Sequence, residues 1–282
     1  MSNVPPSRNF KRIGSALGLA LLLALSSFAA PAAPAKQTLK IGVAEGKGKQ
    51  TAADSFAPFL KQMNQSSSYA FEMVVFADGE KQYEALRDGK VDLAFLGPAS
   101  YVKAHHEFKA QPVTAEAGEL RGMLVVPKAS PIRTVEGLRG KSLALGYEGS
   151  TTTHLLPMLL LSKHHIKSED LSKVTFVGDQ TKKIVDALLD GTAMAGGISE
   201  TLYDAHKNEL RVLETSEPLP GALMVAHPKI GAKVIADLRA LFVKYVPAAG
   251  SPRFPKGAVA VTDDTYNRVR FLCKVVLGRM YL

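Results

Sequence analysis

The sequence predicts an α/β protein built on open, mostly parallel sheets flanked by helices, and three observations carry that reading. Short apolar segments bounded by glycine alternate along the chain with segments of helical period, which is the pattern of repeated βαβ units. The stretch Thr192-Ala-Met-Ala-Gly-Gly-Ile-Ser199 repeats, in weaker form, the helix–glycine–strand pattern of Leu86 to Leu96, as two similarly built lobes would. The 282 residues suffice for one large domain or two smaller ones, each with its own core. Hydrophobic residues at 46% and charged residues at 22% belong to an ordinary soluble globular protein.

Residues 1–35 are expected to be a signal peptide rather than part of the fold. Arg8, Lys11 and Arg12 form a positive region, Ile13 to Leu25 is apolar, and Ala33-Pro34-Ala35 offers an A-x-A cleavage site. The apolar run is short for a membrane span, so an uncleaved anchor is the weaker alternative. No cysteine follows it, which argues against a lipoprotein. A secreted, periplasmic protein is expected.

Thr38 to Ala44 alternates and is rich in branched residues, a first strand. Glu45-Gly-Lys-Gly-Lys49 follows; it lacks the Gly-Lys-Ser/Thr of a phosphate loop and reads as a strand-to-helix turn. Ala52 to Met63 carries a helical stripe, Phe71 to Phe76 is a second strand, and Asp78 can cap a helix from Glu80 to Arg87. A buried strand lies between Gly89 and Gly97, and Pro98 opens the next helix. Arg121 to Val126 is a strand, and Ser130 to Gly140 a loop with a short helix. Val174 to Gly178 is a strand, Thr181 to Asp190 a helix, and Arg211–Glu214 and Gly221–Ala226 the last strands. The stretches Ile230 to Tyr245 and Asp263 to Leu282 read as helical. In such sheets ligands sit beyond the carboxyl ends of the strands.

The most informative stretch is Gly146 to Pro157. Lys141 to Gly146 reads as a short strand, and Leu155 to Leu161 as a buried helix. Between them stand Ser150, Thr151, Thr152 and Thr153. One hydroxyl residue is enough to cap a helix. Four leave donors over, beside free backbone N–H groups at the positive end of a helix dipole, which suits an anion. The same run also reads as a simple cap that binds nothing. Pro157 counts against a regular helix, since it has no N–H and disturbs the turn around Thr153. Tyr101, like the Ser150 run, falls just past a strand's carboxyl end, so the two can converge on one cleft.

Charge and composition set bounds on partners. Removing residues 1–35, with three positive and no negative charges, lowers the formal net charge from +9 to +6, a weak bias towards anions. No dense Lys/Arg cluster with interleaved aromatics occurs, so nucleic acid is not an expected partner. The lone Cys273 sits among apolar residues and reads as core. His105-His106 and His164-His165 are adjacent rather than i,i+4 pairs, so no metal site is expected, and no cofactor.

Three segments together resemble the phosphonate-binding branch of periplasmic binding proteins, the solute receptors of ABC importers. They are Val91-Asp-Leu-Ala-Phe-Leu-Gly-Pro-Ala-Ser-Tyr-Val102, Leu138 to Gly146 with Ser150-Thr-Thr, and Pro218-Leu-Pro-Gly221. The resemblance implies a type II fold with two α/β lobes and a ligand cleft between them. Residues 36–126 plus 226–282 would form lobe one, and 127–225 lobe two. It also implies a small anionic ligand held by Ser150, Thr151 and Thr152, with Tyr101 contributing to the pocket, and an ABC permease in the inner membrane as partner. A family histidine falls on Asp179, a tyrosine on Gly79. Of two carboxylates that grip amine-bearing phosphonates, Glu200 matches one and Ala222 replaces the other. Asp179 repels a dianion unless the ligand carries a P–OH that donates to it. Phosphate, phosphite or methylphosphonate therefore fits better than aminoethylphosphonate.

Each residue has a plainer alternative: Tyr101 as packing, Asp179 and Glu200 as caps. An enzyme using Ser150 with His154 is not expected, because no Gly-x-Ser-x-Gly elbow surrounds Ser150 and His154 lies one helical turn on. A sensory or accessory protein of the same fold, signalling to an envelope partner, is the second reading. Nothing signals an oligomer, and a monomer is expected.

Overall fold

The computed structural model describes residues 36–45 and 51–281. The expected signal peptide and most of the Glu45–Lys49 turn lie outside the described residues. The chain runs β1 (Gln37–Ala44), α1 (Ala52–Ser66), β2 (Tyr69–Phe76), α2 (Gly79–Arg87), β3 (Leu93–Leu96), α3 (Pro98–Phe108), β4 (Gln111–Glu116), β5 (Glu119–Leu120) and β6 (Gly122–Pro127). It continues through β7 (Ser142–Leu145), α4 (Leu156–Lys163), β8 (Lys173–Phe176), α5 (Lys182–Leu189), β9 (Ala195–Ser199), α6 (Glu200–His206) and β10 (Leu210–Thr215). It closes with β11 (Leu219–Pro220), β12 (Leu223–Ala226), α7 (Ala232–Phe242), β13 (Ala258–Val259) and α8 (Asn267–Leu277).

Two sheets result, one per lobe. The first is ordered β13-β4-β12-β3-β1-β2 and the second β10-β6-β9-β7-β8. Strand β1 pairs parallel with β2 and β3, and β7 pairs parallel with β8 and β9. The expectation of mostly parallel sheets needs correction, because each sheet also holds a strand that runs against both neighbours. In the first that strand is β12, between β3 and β4; in the second it is β6, between β9 and β10. These are the two strands that arrive from the other lobe, and their direction of arrival makes the sheets mixed.

The same exchange moves the expected lobe boundaries. Residues 122–126, expected in lobe one, form β6 of the second sheet, with Met123 opposite Ile198 and Val125 opposite Gly196. Residues 223–225, expected in lobe two, pair in the first sheet, Leu223 opposite Leu96. The crossing itself is the ribbon of β5 and β11. It is tight: a Cβ on Gly221 would lie 2.4 Å from the Glu116 carbonyl oxygen.

Alternation along the strands builds the cores. Leu93 turns to the face covered by α1 and α7, with Phe56, Phe59 and Phe242; Ala94 and Leu96 turn to the face covered by α2, α3 and α8. In the second sheet Leu124 and Val126 join the α4 side, and Met123 and Val125 the α5 side. Leu155 and Leu156 of the second lobe pack into the first lobe's cluster with Leu272 and Cys273, so the seam is partly apolar. Cys273 is buried there as expected.

Candidate functional site

A cavity of about 900 Å³ opens between the lobes, where the carboxyl ends of β2, β3, β7 and β8 converge. The first lobe lines it with the start of α2 (Asp78, Gly79), the start of α3 (Gly97, Ala99, Ser100) and the C-terminal stretch Cys273 to Tyr281. The second lobe contributes Tyr147-Glu148-Gly149 after β7 and Val177 to Gln180 after β8.

The stretch after β7 has an unusual shape, and Pro157 explains it. Residues Thr151–Leu155 form a widened turn in which the Leu155 N–H donates to the Ser150 carbonyl, five residues back, at 2.8 Å. A regular helix would leave the Thr153 carbonyl without its donor, because Pro157 has none. That carbonyl instead accepts from the Gly146 N–H at 3.0 Å. The chain doubles back so closely that a Cβ on Gly146 would sit 1.9 Å from Thr153 Oγ1. Gly122 and Gly197 clear the other side, where a Cβ would meet Leu156 at 2.6 Å and Pro157 at 2.6 Å. Three glycines on β6, β9 and the end of β7 thus seat one turn against the sheet.

Ser150 caps this turn: its Oγ accepts from the Thr153 N–H and from Thr153 Oγ1. Thr151 reaches across the seam, its Oγ1 accepting from the Ala99 N–H of α3 at 3.1 Å. Both side chains are buried, as is Thr153, while Thr152 is partly exposed. The N–H groups of Thr151 and Thr152 open the turn and have no acceptor within it by position. His154 is buried against the edge of Phe176, and its Nδ1 accepts from the Gly149 N–H at 2.9 Å. Burial lowers its pKa. Engaged with its own loop, this nitrogen does not serve as a base for Ser150.

A second contact crosses the seam. Asp179 lines the cavity and its Oδ2 accepts from the Gly79 N–H at the start of α2, at 3.2 Å. Asp78 caps the same helix through the Lys81 N–H at 2.8 Å. Carboxylates outnumber cations on the wall: Asp78, Glu80, Glu148 and Asp179 against Lys103 and Arg279. Attraction for an anion here would come from N–H and O–H donors rather than from a cationic clamp.

The expected site residues are only partly brought together. Asp179 lines the cavity, and Ser150, Thr151 and Thr152 form the turn beside it. Tyr101 does not line it, because its ring is core: it is fully buried, stacks edge-on to Tyr266, and its hydroxyl donates to Asp263 at 2.6 Å. Asp263 is held in turn by Arg270. Glu200 also lies away from the cavity, at the first turn of α6, with its N–H donating to the Arg121 carbonyl.

Tyr147 is the residue that sequence reasoning missed. Its hydroxyl and Thr151 Oγ1 stand 3.8 and 3.9 Å from where a Gly97 Cβ would be, against the first lobe. Burial raises its pKa; the Ser100 hydroxyl bonded to it pulls the other way, Asp179 adds to the rise, and the Ser150 hydroxyl opposes it. A single tyrosine in a loop carries no periodic signal, so only the fold exposes it.

Comparison with known proteins completes the description. Residues 41–265 match the family model described as ABC transporter, phosphonate, periplasmic substrate-binding protein. The phosphate-import protein PhnD of Mycolicibacterium smegmatis is 24% identical over 276 residues, covering 85% of this chain and 86% of that protein. Two solved structures share the fold. A binding protein component of an ABC phosphonate transporter from Pseudomonas aeruginosa has a TM-score of 0.73 at 18% identity, covering 86% of this chain and 87% of that one. PhnD1 from Prochlorococcus marinus in complex with methylphosphonate has a TM-score of 0.71 at 14% identity, covering 86% and 99%.

Proposed function

The chain belongs to the phosphonate family of periplasmic substrate-binding proteins of ABC transporters, and from that premise we propose that it captures a small phosphorus oxyanion between its lobes, at the turn Ser150–Thr152. Phosphate, phosphite and short alkylphosphonates are the candidates. As a substrate-binding component it works in the periplasm with a membrane permease and carries out no chemistry on its ligand. Residues 1–35 would be the cleaved signal peptide.

The observation that carries the proposal is the widened turn. It presents the Thr151 and Thr152 N–H groups and a partly exposed Thr152 beside a cavity that the first lobe closes with two further helix starts. The excess of carboxylates on the wall favours a ligand of low charge or one that keeps an acidic proton. Asp179 would accept that proton, which a sulfate dianion lacks. The names of the relatives, one for phosphate import and one solved with methylphosphonate, agree in ligand class.

Calorimetric titration of the mature protein, refolded to remove carried-over ligand, tests this with phosphate, phosphite, methylphosphonate, aminoethylphosphonate and sulfate. One phosphorus anion should bind at micromolar or tighter, roughly −8 kcal/mol. Ser150→Ala combined with Thr151→Ala should abolish it. Asp179→Asn should weaken discrimination against sulfate. Silence across the panel from a folded sample would overturn the reading.

A further inference from the structure

Tyr147 stands where the two lobes meet over the proposed anion site, and its oxygen receives two hydroxyls, from Ser100 of the first lobe and Ser150 of the second. Ser150 has one proton to give. Its oxygen already accepts from the Thr153 N–H and Thr153 Oγ1, so its own O–H is what remains, and that O–H is directed to Tyr147. An oxyanion seated at this turn needs the same proton. Ser100 is in the same position, on the third residue of α3 and lining the cavity. Two hydroxyl donors from opposite lobes converging on one oxygen is how one oxygen of a tetrahedral anion would be held.

We propose that Tyr147 is a specificity-determining residue: its phenol oxygen is a tethered competitor for the Ser100 and Ser150 hydroxyls, and an anion binds by displacing it. The inference rests on the oxyanion reading given above. It follows that only ligands able to repay both hydroxyl bonds gain the site. A strong acceptor with several oxygens, such as a phosphonate or phosphate, does so; a singly coordinating carboxylate does not. The side chain sits over Gly97, so displacement needs no rearrangement of the strands, only rotation of the Tyr147 side chain within the loop Tyr147–Gly149.

The test is Tyr147→Phe, which keeps the ring and removes the oxygen. Calorimetry with phosphate and with methylphosphonate should show binding about fivefold to tenfold tighter than wild type, the scale of one hydrogen bond released to the ligand. Acetate affinity should rise by at least as much, narrowing the discrimination. In Tyr147→Phe combined with Ser150→Ala the gain should vanish, because the freed proton is then absent. If wild type binds an anion and Tyr147→Phe leaves its affinity unchanged or weakens it, Tyr147 is not a competitor and the inference falls alone. If neither protein binds any anion, the oxyanion reading falls and takes this inference with it. Circular dichroism of each variant establishes that it is folded.

Discussion

The two lobes face the cleft with opposite chemistry. The first offers backbone donors fixed at the ends of helices, Gly79 N–H on α2 and Ala99 N–H on α3. The second offers side-chain oxygens carried on loops, Asp179 after β8 and Thr151 after β7. Both contacts run from a first-lobe N–H to a second-lobe oxygen. Helix-end donors cannot turn away without moving the helix, whereas an Asp or Thr side chain can change rotamer. The difference assigns rigidity to one wall and adaptability to the other, so selectivity should respond more to second-lobe substitutions.

The largest effect is expected where the second lobe's loop is seated. Gly146→Ala puts a methyl group into the space held by Thr153 Oγ1 and breaks the return of the chain that accommodates Pro157. Overpacking of this kind should cost about 3 kcal/mol in urea unfolding and remove ligand binding with it. A neutral result would mean that the turn re-forms elsewhere and that its position is not what organises the wall. Thr151→Val comes next. It leaves the buried Ala99 N–H without its acceptor, at a cost of about 1–3 kcal/mol, and Thr151→Ser should restore most of it. Asp179→Ala acts on a partly exposed contact and should cost about 0.5–1 kcal/mol. Its sharper readout is hydrogen exchange at the Gly79 amide, which should speed up while the rest of α2 stays protected. If the Gly79 amide exchanges at the same rate in both proteins, the second seam contact contributes nothing and the comparison reduces to Thr151 alone.

These particulars mark what was legible in the sequence. Helices with a cap and an apolar stripe were readable to within a few residues, as α2 with Asp78 at its start demonstrates. The anion-suited run Ser150–Thr152 was legible for the same reason, since capping is local chemistry. Partnership across sheets was not. Nothing in Gly122–Pro127 or Leu223–Ala226 states which sheet it enters, because period two reports burial and not the neighbour. Strand β4 escaped notice because Pro112 argues against a strand; the register shift opposite Met224 and Val225 is what admits it. Tyr101 was misjudged because position after a strand says nothing of side-chain direction, and the Asp263 that takes its hydroxyl lies 162 residues away. Pro157 looked like an obstacle, and only the Gly146 N–H makes it intelligible.

The smallest effects set two histidines of the second lobe against each other, at opposite ends of one helical stretch. His154 is buried in the widened turn, and burial holds its pKa below the ordinary 6.5. The unfolded chain therefore binds its proton more readily, so the stability it contributes is complete above about pH 6.5 and declines as the pH falls. His164 follows α4, its Nδ1 facing Glu136 and its Nε2 facing Glu214, and these carboxylates raise its pKa, Glu136 first. The folded chain holds that proton more tightly, so this contribution is complete below about pH 6.5 and is lost as the pH rises through the raised value. Urea midpoints measured from pH 5 to 8 should separate the two. His154→Gln should flatten the acid-side loss and also loosen the loop that positions Tyr147. His164→Gln should remove a loss on the neutral side and leave anion affinity untouched, because Glu136 and Glu214 lie at the far end from the cleft. An anion affinity that changed with His164→Gln would show that the two ends of the helix are coupled, and that the adaptable wall extends well beyond its loops.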